Sequence, residues 1–209
     1  GRLLPRHPRE AGRAVSTRDE AASAEIARRV EVLRAEVELT RSDYELIMVH
    51  LSKLSANVTD PVKRRAMQLL ATVVATDYEI KVMLLRELSD PGDREVWEKY
   101  LALLSWTVIE ELPPCIGQEC AAAGKAFKAA LKPIRTDPEF MTNLADIRNQ
   151  VVAHHGIENG DHWLAQWHLS AIANKHNRKT VLRSKIDIHS ETVLVALRAL
   201  GRALQMDPE

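Results

Sequence analysis

The chain has 209 residues, of which 45% are hydrophobic, and this is enough apolar surface to bury the core of one domain. Its 29 basic residues balance its 29 acidic residues, so no overall field attracts nucleic acid or membranes, and any polyanion site must be local. Only 8 glycines interrupt long stretches rich in alanine, leucine, glutamate and arginine, which favours helices over a turn-dense β architecture and leaves strands as a minor addition at most.

Residues 1–18 hold several arginines against a single acidic residue, Glu10, and show no hydrophobic periodicity. We expect a flexible basic arm here, followed by a single helical domain over 19–209. No apolar run approaches the roughly 18 residues that a spanning helix needs, and the start lacks a secretory apolar stretch. Cys115 and Cys120 do not have the spacing of a disulfide framework. Together these features favour a cytoplasmic protein without a membrane anchor.

A long amphipathic helix is predicted over 19–56, because apolar positions recur there at alternating spacings of four and three. At 1.5 Å per residue this helix would be about 57 Å long, which exceeds most helices of single-domain proteins. Its apolar stripe either packs within its own bundle or against a partner chain, and both alternatives stay open. The stripe consists of Ile26, Val30, Leu33, Val37, Thr40, Tyr44, Ile47, Leu51 and Leu54.

Asp-Pro pairs mark three predicted helix starts, since Asp caps a first turn and Pro fits its first position. The pairs are Asp60-Pro61, Asp90-Pro91 and Asp137-Pro138. The first two helices should cover about 61–88 and 91–111, the second ending before Pro113-Pro114. Another helix is predicted over about 117–132, ending at Pro133. The helix from Pro138 should finish at a glycine cap, Gly156.

Residues 157–189 are apolar at several positions but without a sustained period. We expect an irregular insertion with room for a short hairpin, followed by a last helix over about 191–205 that Ser190 caps. The predicted fold is therefore all-α. It is a bundle of about five to six helices with a long N-terminal helix and this irregular segment before the last helix.

Arg148, Asn149 and His154 lie near the end of the helix that starts at Pro138. A guanidinium offers paired donors to phosphate oxygens, and an imidazole titrates near neutrality and can move a proton at an attacking or leaving oxygen. RNA supplies its own 2′-hydroxyl, so His154 can deprotonate it while Arg148 stabilises the transition state without a metal. His155, nearly on the same helix face as Arg148, is the alternative acid or base.

The spacing of Arg148 and His154 limits what one helix can do. Six residues rotate by about 600°, which leaves the two side chains about 120° apart with a rise of about 9 Å. Either the helix end frays and lets His154 swing, or Arg148 of one subunit works with His154 of another across a symmetric interface. Since His154 continues the apolar stripe of its helix, that stripe is the predicted dimer interface. It consists of Phe140, Leu144, Ile147 and Val151.

The segment Ile147-Arg148-Asn149-Gln150-Val151-Val152-Ala153-His154-His155 resembles the signature of the HEPN superfamily, in which an Arg is followed by a polar residue, four variable positions and a His. HEPN proteins are helical bundles and commonly dimers, and many are metal-independent endoribonucleases of toxin–antitoxin and abortive-infection systems. The resemblance implies Arg148 and His154 as catalytic residues and Asn149 as the polar residue that orients them. It also implies RNA, a second copy and an antitoxin or other regulatory protein as partners, and no cofactor.

One position departs from part of this family. HEPN toxins that are silenced by nucleotidylation carry a Tyr two places after the His, where this chain has Gly156. That form of regulation is therefore not expected here. Other HEPN members are non-catalytic, so a helical interaction module or an RNA-binding module is the alternative to a nuclease.

A basic stripe precedes the motif helix and can hold an RNA backbone through phosphate contacts. Its members are Lys125, Lys128, Lys132 and Arg135. The competing interpretation is an ordinary solvated face. Similarly, Arg148 can simply complement the helix dipole or pair with Asp146. No metal site is predicted, because the histidines outside the motif lack the short paired spacing of metal ligands.

Overall fold

The computed structural model describes residues 17–153 and 179–205, and no strand occurs in these two ranges. Six of the helices within them have ten or more residues, so the predicted all-α bundle with a long N-terminal helix is confirmed. The elements are α1 (Thr17–Asn57), α2 (Pro61–Ser89), α3 (Arg94–Trp106), a π turn (Thr107–Glu111), α4 (Leu112–Cys115), a 3-10 turn (Gln118–Cys120), α5 (Ala121–Ala130), α6 (Lys132–Arg135), α7 (Pro138–Ala153) and α8 (Lys179–Gln205). Residues 1–16 of the predicted arm lie outside the described ranges.

The central part of the apolar stripe of α1 packs within its own bundle, whereas Ile26 near its start is 46% exposed. Val37 is buried and Leu33 packs against the core. The ring of Tyr44 stacks on that of Tyr78 in α2, with centroids 4.5 Å apart. Asp60 caps α2 as predicted, accepting hydrogen bonds from the backbone of Val62 and Lys63. Of the two alternatives for the stripe, packing inside the chain is therefore the one observed at these positions.

α2 lies at the centre of the bundle and packs against α1, α3 and α8, while α8 also packs against α3 and α5. Full burial of one large apolar side chain contributes about 1.5–3 kcal/mol, so the cluster they share dominates the stability of the fold. Fully buried members include Ile80, Leu84, Leu101, Ile109, Phe127, Leu131, Leu144 and Leu197.

A charged network joins α1, α2 and α8 at the edge of this core. The ammonium of Lys81, which is 3% exposed, pairs with Asp77 and lies 4.0 Å from a carboxylate oxygen of Glu36. Arg198 of α8 donates to the same Glu36 oxygen at 2.6 Å. Glu36 is thus held by two cations from two other helices.

The predicted dimer interface on α7 is wrong. Phe140, Leu144 and Ile147 are at most 1% exposed and belong to the core of the same chain. α3 packs against α7, and the ring of His189 in α8 lies 4.3 Å from that of Phe140. Because neighbouring helices already cover this stripe, it leaves no free apolar surface for a second copy at these three residues.

The start of α3 differs from the prediction. Asp90 ends α2, with its backbone N–H bonded to the carbonyl of Arg86, instead of capping a helix at Pro91. A turn at residues 91–92 separates the two helices, and α3 begins at Arg94. The Asp-Pro pair therefore signals a break in the chain here, although the helix starts three residues later than expected.

The prediction that this helix ends before Pro113-Pro114 is wrong. After Trp106 it widens into a π turn, in which the N–H of Leu112 bonds to the carbonyl of Thr107, and α4 then carries the prolines in its first turn. Because the prolines lack an N–H, they leave carbonyls of the preceding turn without their usual helical donor. Arg135 donates to the carbonyl of Ile109 at 3.0 Å, so an acceptor beside the prolines stays satisfied.

Pro133 does not end a continuous helix over 117–132. A 3-10 turn precedes α5, which ends at Ala130, and α6 contains Pro133 in its first turn. The 3-10 turn, α5 and α6 thus replace the single predicted helix.

The last helix is longer than predicted. α8 begins at Lys179, so the predicted irregular segment is helical over 179–189, while 157–178 lie outside the described residues. Ser190 is not a cap but a fully buried residue inside α8. Ile186, Ser190 and Val193 follow one another at helical spacing on the buried face, and the small polar serine hides this continuity in the sequence.

One arginine lies among three acidic side chains where α2, α3 and α8 meet. Arg94 pairs with Glu87 and Glu98 and lies 3.7 Å from Asp187. Glu87 and Glu98 are 1% and 4% exposed. Burial, reinforced by the charge of Asp187 and opposed by that of Arg94, raises the pKa of Glu87 from 4.5 to about 7. Burial also raises the pKa of Asp187.

Glu87 should make the fold less stable as the pH rises from about 5 to above 7. The folded chain keeps a proton on Glu87 in this window that the unfolded chain, with a pKa of 4.5, has released. The free energy of unfolding therefore falls by up to about 1.4 kcal/mol per pH unit. Glu87→Gln should flatten this dependence, which urea unfolding at pH 5, 6, 7 and 8 measures. Glu31→Gln, on the exposed surface of α1, is the control. Equal slopes for wild type and Glu87→Gln would contradict the assignment.

Candidate functional site

The helix that carries the motif is anchored at its first turn. Asp137 accepts a hydrogen bond from the backbone of Phe140 at 3.1 Å, as the predicted N-cap should. It also pairs with Lys185 of α8 at 2.8 Å, and the hydrogen bond from Lys185 is the main cause that lowers the pKa of Asp137. His189 lies 3.5 Å from the same carboxylate. α7 is therefore fixed to α8 where it begins, and the motif lies at its other end.

Arg148 is half-buried near the C-terminal end of α7. Its side chain is 39% exposed, and Nη2 lies 3.8 Å from Oε1 of Glu111. Nη1 lies 3.4 Å from the side-chain oxygen of the exposed residue Asn149. The Nε atom is buried and has no hydrogen-bond partner among the residues that the structure describes. The carboxylate beside Arg148 thus comes from the π turn and not from Asp146.

Glu111 is itself held by the turn that it ends. Its Oε2 accepts a hydrogen bond from the hydroxyl of Thr107 at 3.3 Å, while Oε1 faces Arg148. Because a π turn contains one residue more than an α turn, it changes the direction in which Glu111 leaves the helix. The π turn is therefore the local feature that places a carboxylate at the end of α7.

Glu111 also lines a surface groove of about 290 Å³ between α2 and the π turn. Hydroxyls and an amide line its polar part, together with the guanidinium of Arg65, which donates to the carbonyl of Cys115. Arg148 is not one of the lining residues, but its contact with Glu111 places it next to the groove. The polar lining residues are Arg65, Gln68, Thr72, Thr76, Thr107 and Glu111.

The other motif residues differ in what the structure describes. Asn149 is exposed beside Arg148. His154, the predicted acid or base, the alternative His155 and the predicted cap Gly156 lie outside the described residues. Of the predicted site, the structure thus describes Arg148 and Asn149 but neither of the two histidines predicted to transfer a proton.

The predicted basic stripe is exposed along its whole length, but two helices carry it. Lys125 and Lys128 belong to α5, whereas Lys132 and Arg135 belong to α6. Arg135 already donates to the carbonyl of Ile109 and pairs with Glu110 at 3.2 Å. Within the described ranges, no contact joins the three lysines of the stripe to the π turn, and all three are exposed.

Glu111 and the groove were not predicted from the sequence. The residue stands in a run of two glutamates before two prolines, a context that indicates an ordinary helix end. Only the register change of the π turn brings it to Arg148, and no periodicity argument reveals such a turn.

No family model matches the chain, and searches of curated proteins and of solved structures find no match. Within the described ranges, no helix is long and apolar enough to cross a membrane. No group of three or more His, Cys, Asp or Glu side chains in 17–153 and 179–205 is arranged to hold a metal ion.

Proposed function

We propose that this chain is a metal-independent endoribonuclease of the HEPN type that acts as a defence or toxin effector. The observation that carries the proposal is the position of Arg148. Its guanidinium is half-exposed at the end of α7, next to a groove and within 3.4–3.8 Å of two polar side chains that orient it. A planar guanidinium held in this way suits the oxygens of a phosphodiester.

In the proposed reaction, His154 and Arg148 act on the RNA, and two other residues position Arg148. His154 removes the proton from a ribose 2′-hydroxyl, the 2′-oxygen attacks the adjacent phosphorus as the bond to the 5′-oxygen breaks, and the leaving 5′-oxygen takes up a proton from water. Arg148 stabilises the negative charge that develops on the phosphoryl oxygens. Glu111 and Asn149 position Arg148 without contacting the reacting atoms. The products are a 2′,3′-cyclic phosphate and a free 5′-hydroxyl.

Arg148 and His154 must converge for this reaction. In a continuous α-helix their side chains would point about 120° apart. Convergence needs either a change of direction after Ala153 or a second copy that supplies the missing group. Since the core covers Phe140, Leu144 and Ile147, a composite dimer site would have to use another surface of the molecule.

The proposal is tested by incubating the full chain with single-stranded RNA in EDTA and analysing the new ends. We expect cleavage to leave 2′,3′-cyclic phosphates and 5′-hydroxyls. RNA with 2′-deoxy nucleotides at the cleaved positions should resist, because it lacks the internal nucleophile. Cleavage that stops in EDTA, or that proceeds equally on the 2′-deoxy substrate, would overturn the mechanism.

A second candidate function is a non-catalytic helical interaction module. The observation that favours it is a row of exposed apolar residues on α1, which include Leu39 and Leu46. This module would bind a partner without turnover, and its binding would not change in Arg148→Ala or His154→Ala variants.

A further inference from the structure

α1 carries a second apolar stripe on the side that faces away from α2. Val32, Leu39, Leu46 and Val49 are 48%, 75%, 58% and 61% exposed. With Ala35 and Ser42 between them they recur at alternating spacings of three and four, which is the heptad pattern of a helix that packs against another helix. We call these six residues the outer stripe.

The outer stripe is distinct from the stripe that packs inside the chain. At 100° per residue, its centre lies roughly 150–180° around the helix from Leu33 and Val37, which face the core. From Val32 to Val49 it is about 26 Å long. An exposed row of this length that is apolar at every position except Ser42 is unusual on a surface that binds nothing.

The N-terminal end of the outer stripe opens into a groove between α1 and α8. Val32 lines this groove together with Leu194 and Val195. The arginines at this end are already paired, Arg28 with Glu25 and Arg29 with Glu191. A helix that lies along the outer stripe can therefore also cover apolar side chains of α8.

Acidic side chains border the outer stripe on both sides. Glu31, Glu38 and Glu45 follow one edge at intervals of seven residues, and Glu36 and Asp43 follow the other. Glu38 contacts Arg41 at 3.2 Å, but Arg41 lies about 135° around the helix from the stripe. Glu36 is held by Arg198 and Lys81. Because Glu36 and Glu38 already pair with cations of this chain, the acidic charge that a docked helix would meet comes from Glu31 and Glu45 on one edge and from Asp43 on the other.

We propose that the outer stripe binds a basic amphipathic helix of a partner protein. A second copy of this chain fits poorly, since either orientation of two such stripes sets glutamate and aspartate against glutamate and aspartate. Lysine or arginine at the flanking positions of the partner instead gives complementary pairs on both edges. This inference does not depend on the proposed nuclease activity.

The test uses the full chain and two labelled helical peptides of about 21 residues with leucine at the heptad contact positions. One peptide has lysine at the flanking positions and the other has glutamate. Fluorescence anisotropy should show binding of the lysine peptide at least about tenfold tighter than of the glutamate peptide. The binding should weaken as salt increases. Equal affinity for both peptides, or binding to neither, would overturn the proposal.

Variants locate the site and keep the result interpretable. Leu39→Glu and Leu46→Glu alter exposed residues, so we expect the fold to persist and the binding of the lysine peptide to be lost. Val62→Glu, at an exposed apolar residue of α2, is the matched control and should bind normally. Replacing Glu31, Glu38 and Glu45 together by lysine should reverse the preference and favour the glutamate peptide. A concentration-dependent dimer that Leu39→Glu abolishes would assign the stripe to a second copy and reject a basic partner.

Discussion

Replacing either Arg148 or His154 with alanine is expected to slow RNA cleavage by about 10²–10⁴-fold, the usual contribution of a positioned acid, base or charge-stabilising group. Single-turnover rates on a labelled RNA in EDTA measure the loss. Because the two groups act in one step, the double variant should lose little more than either single variant. Full activity in both single variants would reject the proposed site.

Conservative replacements separate catalytic roles from structural ones. Arg148→Lys keeps the charge but not the planar pair of donors, so most of the loss should remain. Arg28→Ala removes an exposed arginine that pairs with Glu25 and serves as the control for a general effect of basic surface charge. His155→Ala distinguishes the two adjacent histidines, since the residue that moves the proton should also set the pH profile of the rate.

Glu111→Gln tests the contact that the structure adds to the motif. The amide oxygen can still accept a hydrogen bond from the hydroxyl of Thr107, but the neutral side chain no longer attracts the guanidinium of Arg148 through charge. We expect a smaller loss of activity than in Arg148→Ala, together with a changed KM for RNA, because a positioning residue acts through Arg148. A Glu111→Gln variant as inactive as His154→Ala would instead give Glu111 a direct role in proton transfer.

Arg94→Met is expected to destabilise the fold by about 3–5 kcal/mol, because it removes the cation that pairs with buried carboxyl groups. The guanidinium reaches Glu87, Glu98 and Asp187, which come from three different helices. Urea unfolding at pH 7 measures the change in the free energy of unfolding.

Two further variants assign the cause of this loss. Arg28→Ala, which breaks an exposed pair within α1, should leave the stability unchanged. Neutralising the acids in the Arg94→Met background, with Glu87→Gln, Glu98→Gln and Asp187→Asn, should recover much of the stability. If the neutralised variant remains as unstable as Arg94→Met, packing of the arginine and not charge would be responsible.

The sequence was most informative where local chemistry and apolar period agree. The helix predicted over 61–88 occupies Pro61–Ser89, and α1 extends one or two residues beyond its predicted ends. Asp60 and Asp137 both cap the helices that they were expected to cap. At these positions the N-cap hydrogen bond and the hydrophobic stripe favour the same helix boundary, and tertiary packing does not shift it.

Prediction failed where contacts between distant residues decide the structure. Ser190 resembles a cap, yet it is buried because α8 continues through it. Pro113 resembles a helix end, yet the guanidinium of Arg135 satisfies the carbonyl of Ile109 near it. The pairing of Arg148 with Glu111 depends on the register of a turn 37 positions earlier in the chain. None of these contacts can be recognised from the spacing of apolar residues in the sequence.

The π turn also bears on how related sequences should be aligned with this one. A relative that lacks one residue between 107 and 111 could form an unbroken α-helix and would show only a single gap. Beyond that gap, each side chain would be rotated by about 100° and shifted by about 1.5 Å relative to the preceding part of the helix. Such a gap would remove the carboxylate from Arg148 even if a glutamate still occupied the aligned column. Identity at that column is therefore meaningful only in relatives of the same length across this turn.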